Sequence, residues 1–160
     1  MGPLNNDPTA HKMDLHVDDA RERGASVLAG GHRAPGFPTD LYSEFTLIDA
    51  VPEEALVSRE ETFGPVLPIV TVRDDEEAIV AAAGGDLGLQ AAVFTSSIDK
   101  AFWYTDRIRA GTVVINDSTD FWETFQPFGG AAGTASGWGR GTIDDFTDLQ
   151  TMVIDIGNVR

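Results

Sequence analysis

The chain has 160 residues, no cysteine and a formal net charge of −15, and 42% of its residues are hydrophobic. This length and composition suit one ordinary domain with a buried core, and no apolar run approaches the ~20 residues that span a bilayer. The lack of cysteine excludes disulfides, thiolate metal sites and a thiol nucleophile within these residues. Such an acidic surface repels phosphate backbones and anionic lipids, so neither nucleic-acid nor membrane binding is expected.

The charge and the first residues also predict an environment. Residues 1–7 have no basic region followed by an apolar run, so they do not form a secretory signal, and a cytoplasmic location is expected. Lys12 and Lys100 are the only lysines beside 26 acidic residues. A soluble acidic protein is one interpretation, but adaptation to high salt is favoured because screening relieves the repulsion among such charges.

The first part of the chain predicts one helix and two strands. Residues 9–23 lack glycine and proline and carry apolar residues at helical spacing. Gly24 is expected to end this helix, because glycine adopts the left-handed conformation found just past many helices. Short strands are predicted at 27–29 and 45–48.

Strands and helices then alternate. Pro68 predicts that the strand at 66–72 lies at a sheet edge or is irregular. The predicted elements are a strand at 66–72, a helix from 74 or 75 to 83, a strand at 89–95, a helix from 96 or 97 to 108 and a buried strand at 112–115. The alternation predicts an α/β fold with βαβ units and a partly parallel sheet flanked by helices.

A last strand is predicted at Thr151–Ile156. Met152, Ile154 and Ile156 alternate with its other residues, which makes one face of the strand wholly apolar. Because an exposed edge with such a face promotes aggregation, this strand is expected to pair with another chain.

Residues 60–65 read Glu-Glu-Thr-Phe-Gly-Pro and stand just before a predicted strand. A carboxylate here can accept hydrogen bonds from sugar hydroxyls, and Phe63 can pack on a flat heteroaromatic ring. On the residues alone, a capped turn with a core phenylalanine is the simpler interpretation.

Two further segments carry unusual residues. Asn116 ends the strand of the motif 109–116, where an asparagine by itself indicates a turn. The aromatic residues of 117–126 either line a pocket or anchor a loop in the core. Residues 127–130 read Pro-Phe-Gly-Gly, which matches no phosphate-binding pattern, so these glycines more plausibly let two backbones approach closely.

The three histidines are not expected to bind metal or to act in catalysis. His11 and His16 are five residues apart, which places them on different faces of a helix, and His32 follows a Gly-Gly turn.

Taken together, the motifs at 60–65, 109–116 and 127–130 resemble the C-terminal part of the catalytic domain of aldehyde dehydrogenases, and the resemblance extends from Gly2 to about Val153. It implies a catalytic-domain segment at 1–145 and an oligomerisation or bridging strand at 146–160. The NAD(P)-binding domain and the segment with the catalytic cysteine are then absent.

The resemblance also assigns site residues. Glu61 is expected to bind the nicotinamide ribose of the cofactor, and Phe63 to lie near its ring. Asn116 is expected to support the active site, while Phe121 and Phe128 are expected to bound the aldehyde. No metal ligand is implied.

The activity implied for a complete enzyme is oxidation of an aldehyde to a carboxylic acid, with NAD or NADP as hydride acceptor. This chain lacks the family's nucleophilic cysteine and general-base glutamate, so it is expected to be inactive alone and to bind no cofactor tightly. It is interpreted as a fragment or truncated member that forms a homo-oligomer or joins a complementing N-terminal half. The alternatives are a non-catalytic oligomerising partner of a full-length aldehyde dehydrogenase and an unrelated small-molecule binder.

Overall fold

The computed structural model describes residues 2–120, 126–127, 129–131 and 146–154. The chain divides into two compact units, Met1–Gly85 and Asp86–Arg160. The helices and strands in the described residues are α1 (Asp7–Glu22), β1 (Ser26–Ala29), β2 (Thr46–Asp49), α2 (Leu56–Arg59), β3 (Val66–Pro68), α3 (Asp75–Ala83), β4 (Gln90–Val93), α4 (Ile98–Thr105) and β5 (Thr112–Ile115). No helix among them combines the length and the hydrophobicity needed to cross a membrane.

Helix α1 confirms the prediction for 9–23 but begins two residues earlier, at Asp7. Proline is tolerated in a first helical turn, so Pro8 does not delay the start. The Asn6 side chain accepts a hydrogen bond from the Thr9 amide and caps the helix. Gly24 follows the helix with a φ of 92°, as predicted for the glycine that ends it.

The first unit holds a three-stranded sheet in the order β1-β2-β3, in which β1 and β2 are antiparallel and β2 and β3 are parallel. Its core lies between this sheet, α1 and the segment that contains α2. The buried residues of the larger cluster are Val17, Ala20, Ile48, Val51, Ala55 and Val57. Leu4, Ala10 and Met13 form a second cluster beneath the first part of α1.

Strand β3 is shorter than the predicted 66–72. It ends at Pro68, which has no amide hydrogen to donate, and it lies at the edge of its sheet, as the proline predicted. Helix α3 agrees with the prediction: the Asp74 side chain accepts a hydrogen bond from the Glu77 amide at its start.

The second unit contains one parallel βαβ unit, made of β4, α4 and β5. It confirms the α/β class and the partly parallel pairing, although the parallel strands are divided between two sheets. The prediction that β5 is buried was wrong, because its residues are half-buried and Ile115 is exposed. Among the described residues of this unit, Ala101 is the only buried hydrophobic side chain.

The strand predicted at Thr151–Ile156 is not formed by residues 151–154, and residues 155–160 lie outside the described ranges. In the described residues 146–154, the exposed large apolar side chains include Leu149, Met152, Val153 and Ile154. The physical reason is that alternation gives a segment an apolar face but no hydrogen-bonding partner, and a strand requires both.

Candidate active site

The segment Glu60–Pro65 connects α2 to β3 in the first unit. Because the sequence motif predicts cofactor contacts for this segment, it is called the cofactor loop. Glu61 is exposed, and Phe63 leaves 76% of its surface open to solvent. Phe63 also has a φ of 58°, in the left-handed region that is unfavourable for a bulky side chain. An exposed aromatic ring in a strained backbone is not a core phenylalanine, so the simpler interpretation of this motif was wrong.

Helix α1 fixes the cofactor loop from below. A Cβ atom at Gly64 would lie 3.0 Å from the sulfur of Met13, so the loop backbone packs directly on this buried side chain. One turn further along α1, His16 Nδ1 lies 2.9 Å from Thr62 Oγ1 in a buried hydrogen bond. Thr62 therefore points into the protein between Glu61 and Phe63, and both neighbours are turned outward.

The carboxylate of Asp19 holds the start of α2, the helix that leads into the cofactor loop. Asp19 Oδ2 accepts a hydrogen bond of 2.8 Å from the amide of Leu56, the first residue of α2. This bond and the hydrogen bond from Arg23 lower the pKa of Asp19, because both stabilise the ionised carboxylate. α1 therefore contacts the segment that leads into the cofactor loop as well as the loop itself.

Charged groups surround the buried imidazole. His16 Nε2 lies 3.6 Å from Glu60 Oε2, and Lys12 Nζ lies 3.8 Å from the same oxygen. Burial lowers the pKa of His16 and the charge of Lys12 lowers it further, while Glu60 opposes both effects. The imidazole is therefore neutral at neutral pH, since an unperturbed histidine already titrates near pH 6.5.

Asn116 lies in the second unit, directly after β5. Its side chain forms two hydrogen bonds with the backbone of Thr95: the Thr95 amide donates to Oδ1 at 2.7 Å, and Nδ2 donates to the Thr95 carbonyl at 2.8 Å. The Asn116 amide also donates to the carbonyl of Val93. These bonds extend the pairing of the two parallel strands by one step and join the loops that follow them.

Residues 129–131 run close to the start of these strands. The Gly88 carbonyl accepts hydrogen bonds from the amides of both Gly111 and Ala131. A side chain at Gly111 would place its first carbon against the carbonyl oxygen of Gly129, so only glycine fits there. The glycine-rich motif thus takes part in a close approach of backbones, as the sequence indicated.

The structure therefore brings Glu61 and Phe63 together on one loop and places Asn116 at the end of a strand in the other unit. Phe121 and Phe128 lie outside the described residues. Within the described ranges, no group of three or more His, Asp or Glu side chains is arranged to hold a metal ion.

Sequence reasoning missed the supporting role of His16 and Thr62. A signal was present, because His16 lies beside the apolar stripe of Met13, Val17 and Ala20 on α1. A polar side chain at such a position needs a buried partner.

The sequence model of the aldehyde dehydrogenase family matches residues 1–152. The chain belongs to the aldehyde dehydrogenase family.

Three similar proteins illustrate this membership. Lactaldehyde dehydrogenase from Methanococcus maripaludis is 35% identical over 158 residues, which cover 96% of this chain and 32% of that protein. The crystal structure of succinate-semialdehyde dehydrogenase from Burkholderia pseudomallei has a TM-score of 0.84 at 30% identity, covering 91% of this chain and 30% of that one. A Mycobacterium tuberculosis aldehyde dehydrogenase complexed with NAD+ has a TM-score of 0.84 at 26% identity, covering all of this chain and 33% of that one.

The chain spans about a third of the length of these relatives. The resemblance expected from the motifs at 60–65, 109–116 and 127–130 is confirmed at the level of family and fold.

Proposed function

We propose that this chain forms the nicotinamide side of the active site of an NAD(P)-dependent aldehyde dehydrogenase, which oxidises an aldehyde to a carboxylic acid. The observation that carries the proposal is the cofactor loop. It presents a carboxylate and an aromatic ring to solvent from positions two residues apart, while the residue between them is buried and hydrogen-bonded. Strain of the kind seen at Phe63 persists where surrounding structure enforces it, and it is concentrated at functional sites.

The exposed side chains fit the nicotinamide end of a dinucleotide. The Glu61 carboxylate is an acceptor for the paired hydroxyls of a ribose, and the Phe63 ring is an open apolar surface for a flat heteroaromatic ring. When bound, NAD or NADP supplies the hydride acceptor of the reaction. In this proposal Glu61 fixes the sugar and Phe63 limits the positions of the ring.

The remaining site residues have supporting roles. Asn116 holds the loops after β4 and β5 at a fixed separation through its bonds to Thr95. In this proposal Phe121 and Phe128 form part of the wall of the aldehyde pocket. The family's nucleophile is a cysteine and these 160 residues contain none, so the thiol comes from other residues of the active enzyme.

A chimera tests the proposal. The part of the Methanococcus maripaludis lactaldehyde dehydrogenase that precedes the matching region is joined to this chain, which replaces the homologous third. We expect the purified chimera to oxidise aldehydes with NAD or NADP, whereas the 160-residue chain alone forms no reduced cofactor. Glu61→Gln in the chimera should raise the KM for the dinucleotide about tenfold to a hundredfold, because the substitution removes the charge and replaces one of the two accepting oxygens with a donor.

Glu54→Gln is the matched control, since Glu54 is an exposed glutamate in the turn before α2 of the same unit. Both variants should melt at the same temperature as the parent chimera. A folded chimera without activity, or equal kinetic effects of the two substitutions, would contradict the proposal.

The exposed C-terminal segment supports a second role, in assembly. Leu149, Met152 and Ile154 are open to solvent, and we infer that they contact another copy of the chain or a full-length aldehyde dehydrogenase. Ile154→Lys, on the apolar face of the alternating pattern, should then reduce the assembly seen by size-exclusion chromatography with light scattering. Thr151→Lys, at an exposed polar residue of the same segment, is the control, and equal effects of the two substitutions would argue against this contact.

A further inference from the structure

His16 is a buried polar residue for which the proposed reaction has no direct use. Its side chain is 2% exposed, and it belongs to the largest fully buried side chains of the described residues. Burying an imidazole without a hydrogen-bonding partner costs free energy, so the contacts of His16 indicate its role. Those contacts lead to the cofactor loop, 46 residues away in sequence.

Three anchors join α1 to the segment around the loop at regular helical spacing. Asp19 binds the Leu56 amide at the start of α2, His16 binds Thr62, and Met13 packs under Gly64. The anchoring residues are three apart, which places them along one face of the helix. His16 is the middle anchor, and its contact is the one that falls between Glu61 and Phe63.

The neighbours of the ring select one form of the imidazole. Nε2 faces the Glu60 carboxylate at 3.6 Å, which favours a proton on that nitrogen. Nδ1 is then an acceptor and receives the hydrogen of the Thr62 hydroxyl at 2.9 Å. The threonine hydroxyl is thereby fixed in direction as well as in position.

We infer that His16 is a positioning residue, which through Thr62 holds Glu61 and Phe63 in the outward, strained arrangement that presents them to the nicotinamide end of the cofactor. This inference rests on the proposed function for the role of the two exposed side chains. Its geometric part, the control of the loop by His16, can be tested without any cofactor.

The same geometry makes the loop sensitive to pH. A second proton on the ring would sit on Nδ1 and become a donor to Thr62 Oγ1, so the threonine hydrogen would have to turn to another acceptor. The charged groups that face the ring are Lys12 and Asp19 on α1 and Glu60 on the loop. Protonation of His16 should therefore move the backbone signals of the loop.

The test uses the 160-residue chain and nuclear magnetic resonance. The amide signals of Glu61 and Phe63 are followed across a pH titration together with the His16 ring signals. We expect the loop amides to shift with the same midpoint as His16. His16→Asn should abolish this response, and His11→Asn, the same substitution at an exposed position of α1, should leave it intact.

Thr62→Val and Thr62→Ser separate the hydrogen bond from packing. Valine keeps the shape of threonine without the hydroxyl, so it should uncouple the loop from the titration of His16. Serine retains the hydroxyl and should preserve the coupling.

Equal behaviour of the valine and serine variants would overturn the inference, as would loop amides that do not follow His16. These readouts need no dinucleotide. A loop that follows His16 while Glu61→Gln leaves the chimera's kinetics unchanged would therefore keep the positioning role and reject the proposed function.

Discussion

Phe63 and Asn116 have the same unusual backbone conformation, with φ of 58° in both, but for different reasons. Asparagine is among the residues that adopt the left-handed region most readily, and Asn116 is further held there by its two bonds to Thr95. Phenylalanine has no such preference, and the ring of Phe63 is exposed. The side chain of Asn116 itself holds the turn after β5, whereas the cofactor loop is held by residues of α1.

This difference separates a structural turn from a candidate functional one. At Asn116 the side chain that is expected to support the active site is also the side chain that stabilises the left-handed backbone conformation. At Phe63 the contacts that hold the loop come from Met13, His16 and Asp19 on α1. The ring of Phe63 is exposed and is not packed in a core. The four substitution series below test this distinction, from the largest expected effect to the smallest.

Removing the packing under the loop should have the largest effect. Met13→Ala deletes a buried side chain that contacts Gly64 and should lower the free energy of unfolding by about 3 kcal/mol. Leu15→Ala is the control on the same helix, since Leu15 is 59% exposed, and it should change stability by less than about 0.5 kcal/mol. Chemical denaturation measures both values, and similar losses would show that α1 does not support the loop through Met13.

Asn116 should be intermediate. Asn116→Ala removes two hydrogen bonds and leaves a left-handed alanine, which should cost about 2 kcal/mol. Asn116→Gly loses the same bonds without the backbone strain and should be about 1 kcal/mol more stable than the alanine variant. If the glycine variant is no more stable than the alanine variant in denaturant titrations, the left-handed conformation is not present in solution.

Substitutions of Phe63 should cost little stability relative to the parent chain, unlike those of Asn116. Phe63→Gly relieves the left-handed strain and should be more stable than Phe63→Ala by about 1 kcal/mol, with neither variant far below the parent chain. Thermal melts measure the difference. A large loss of stability in both variants would mean that the ring is part of a core, contrary to the exposed position described above.

The pH dependence of stability should show the smallest effect. Because the pKa of His16 is lowered in the folded chain, the unfolded chain binds the proton more readily, and stability rises with pH through this window. The contribution of the neutral ring is complete above the unfolded value of 6.5 and is lost as the pH falls toward the lowered folded value. His16→Asn should remove this slope below pH 6.5, and His11→Asn should retain it.

Much of the secondary structure followed from local rules. Asn6 and Gly24 mark the ends of α1, Ser97 caps α4, and Pro68 predicted that β3 lies at a sheet edge. Helix α2 was not predicted, because its first amide is capped by Asp19, 37 residues earlier in the sequence. A cap supplied from such a distance leaves no local pattern.

Part of the site could be predicted from the sequence, but its contacts between distant residues could not. The motif at 60–65 indicated Glu61 and Phe63, because residue types and their order can be read from a sequence. The bond between His16 and Thr62 depends on tertiary structure and was not foreseen. The strand predicted at Thr151–Ile156 shows the converse error, because a period of two describes a face but not the partner that a strand requires.

The central claim, that Phe63 and Glu61 face the nicotinamide end of the cofactor, is tested most directly by a contact measurement. The chimera is labelled with ¹³C-phenylalanine, saturated with NAD and studied by nuclear magnetic resonance, and Phe63→Leu identifies the signal of this ring. The account predicts a nuclear Overhauser effect between the Phe63 ring and the nicotinamide protons, which disappears in Phe63→Leu. Its absence in a chimera that binds NAD would contradict the account.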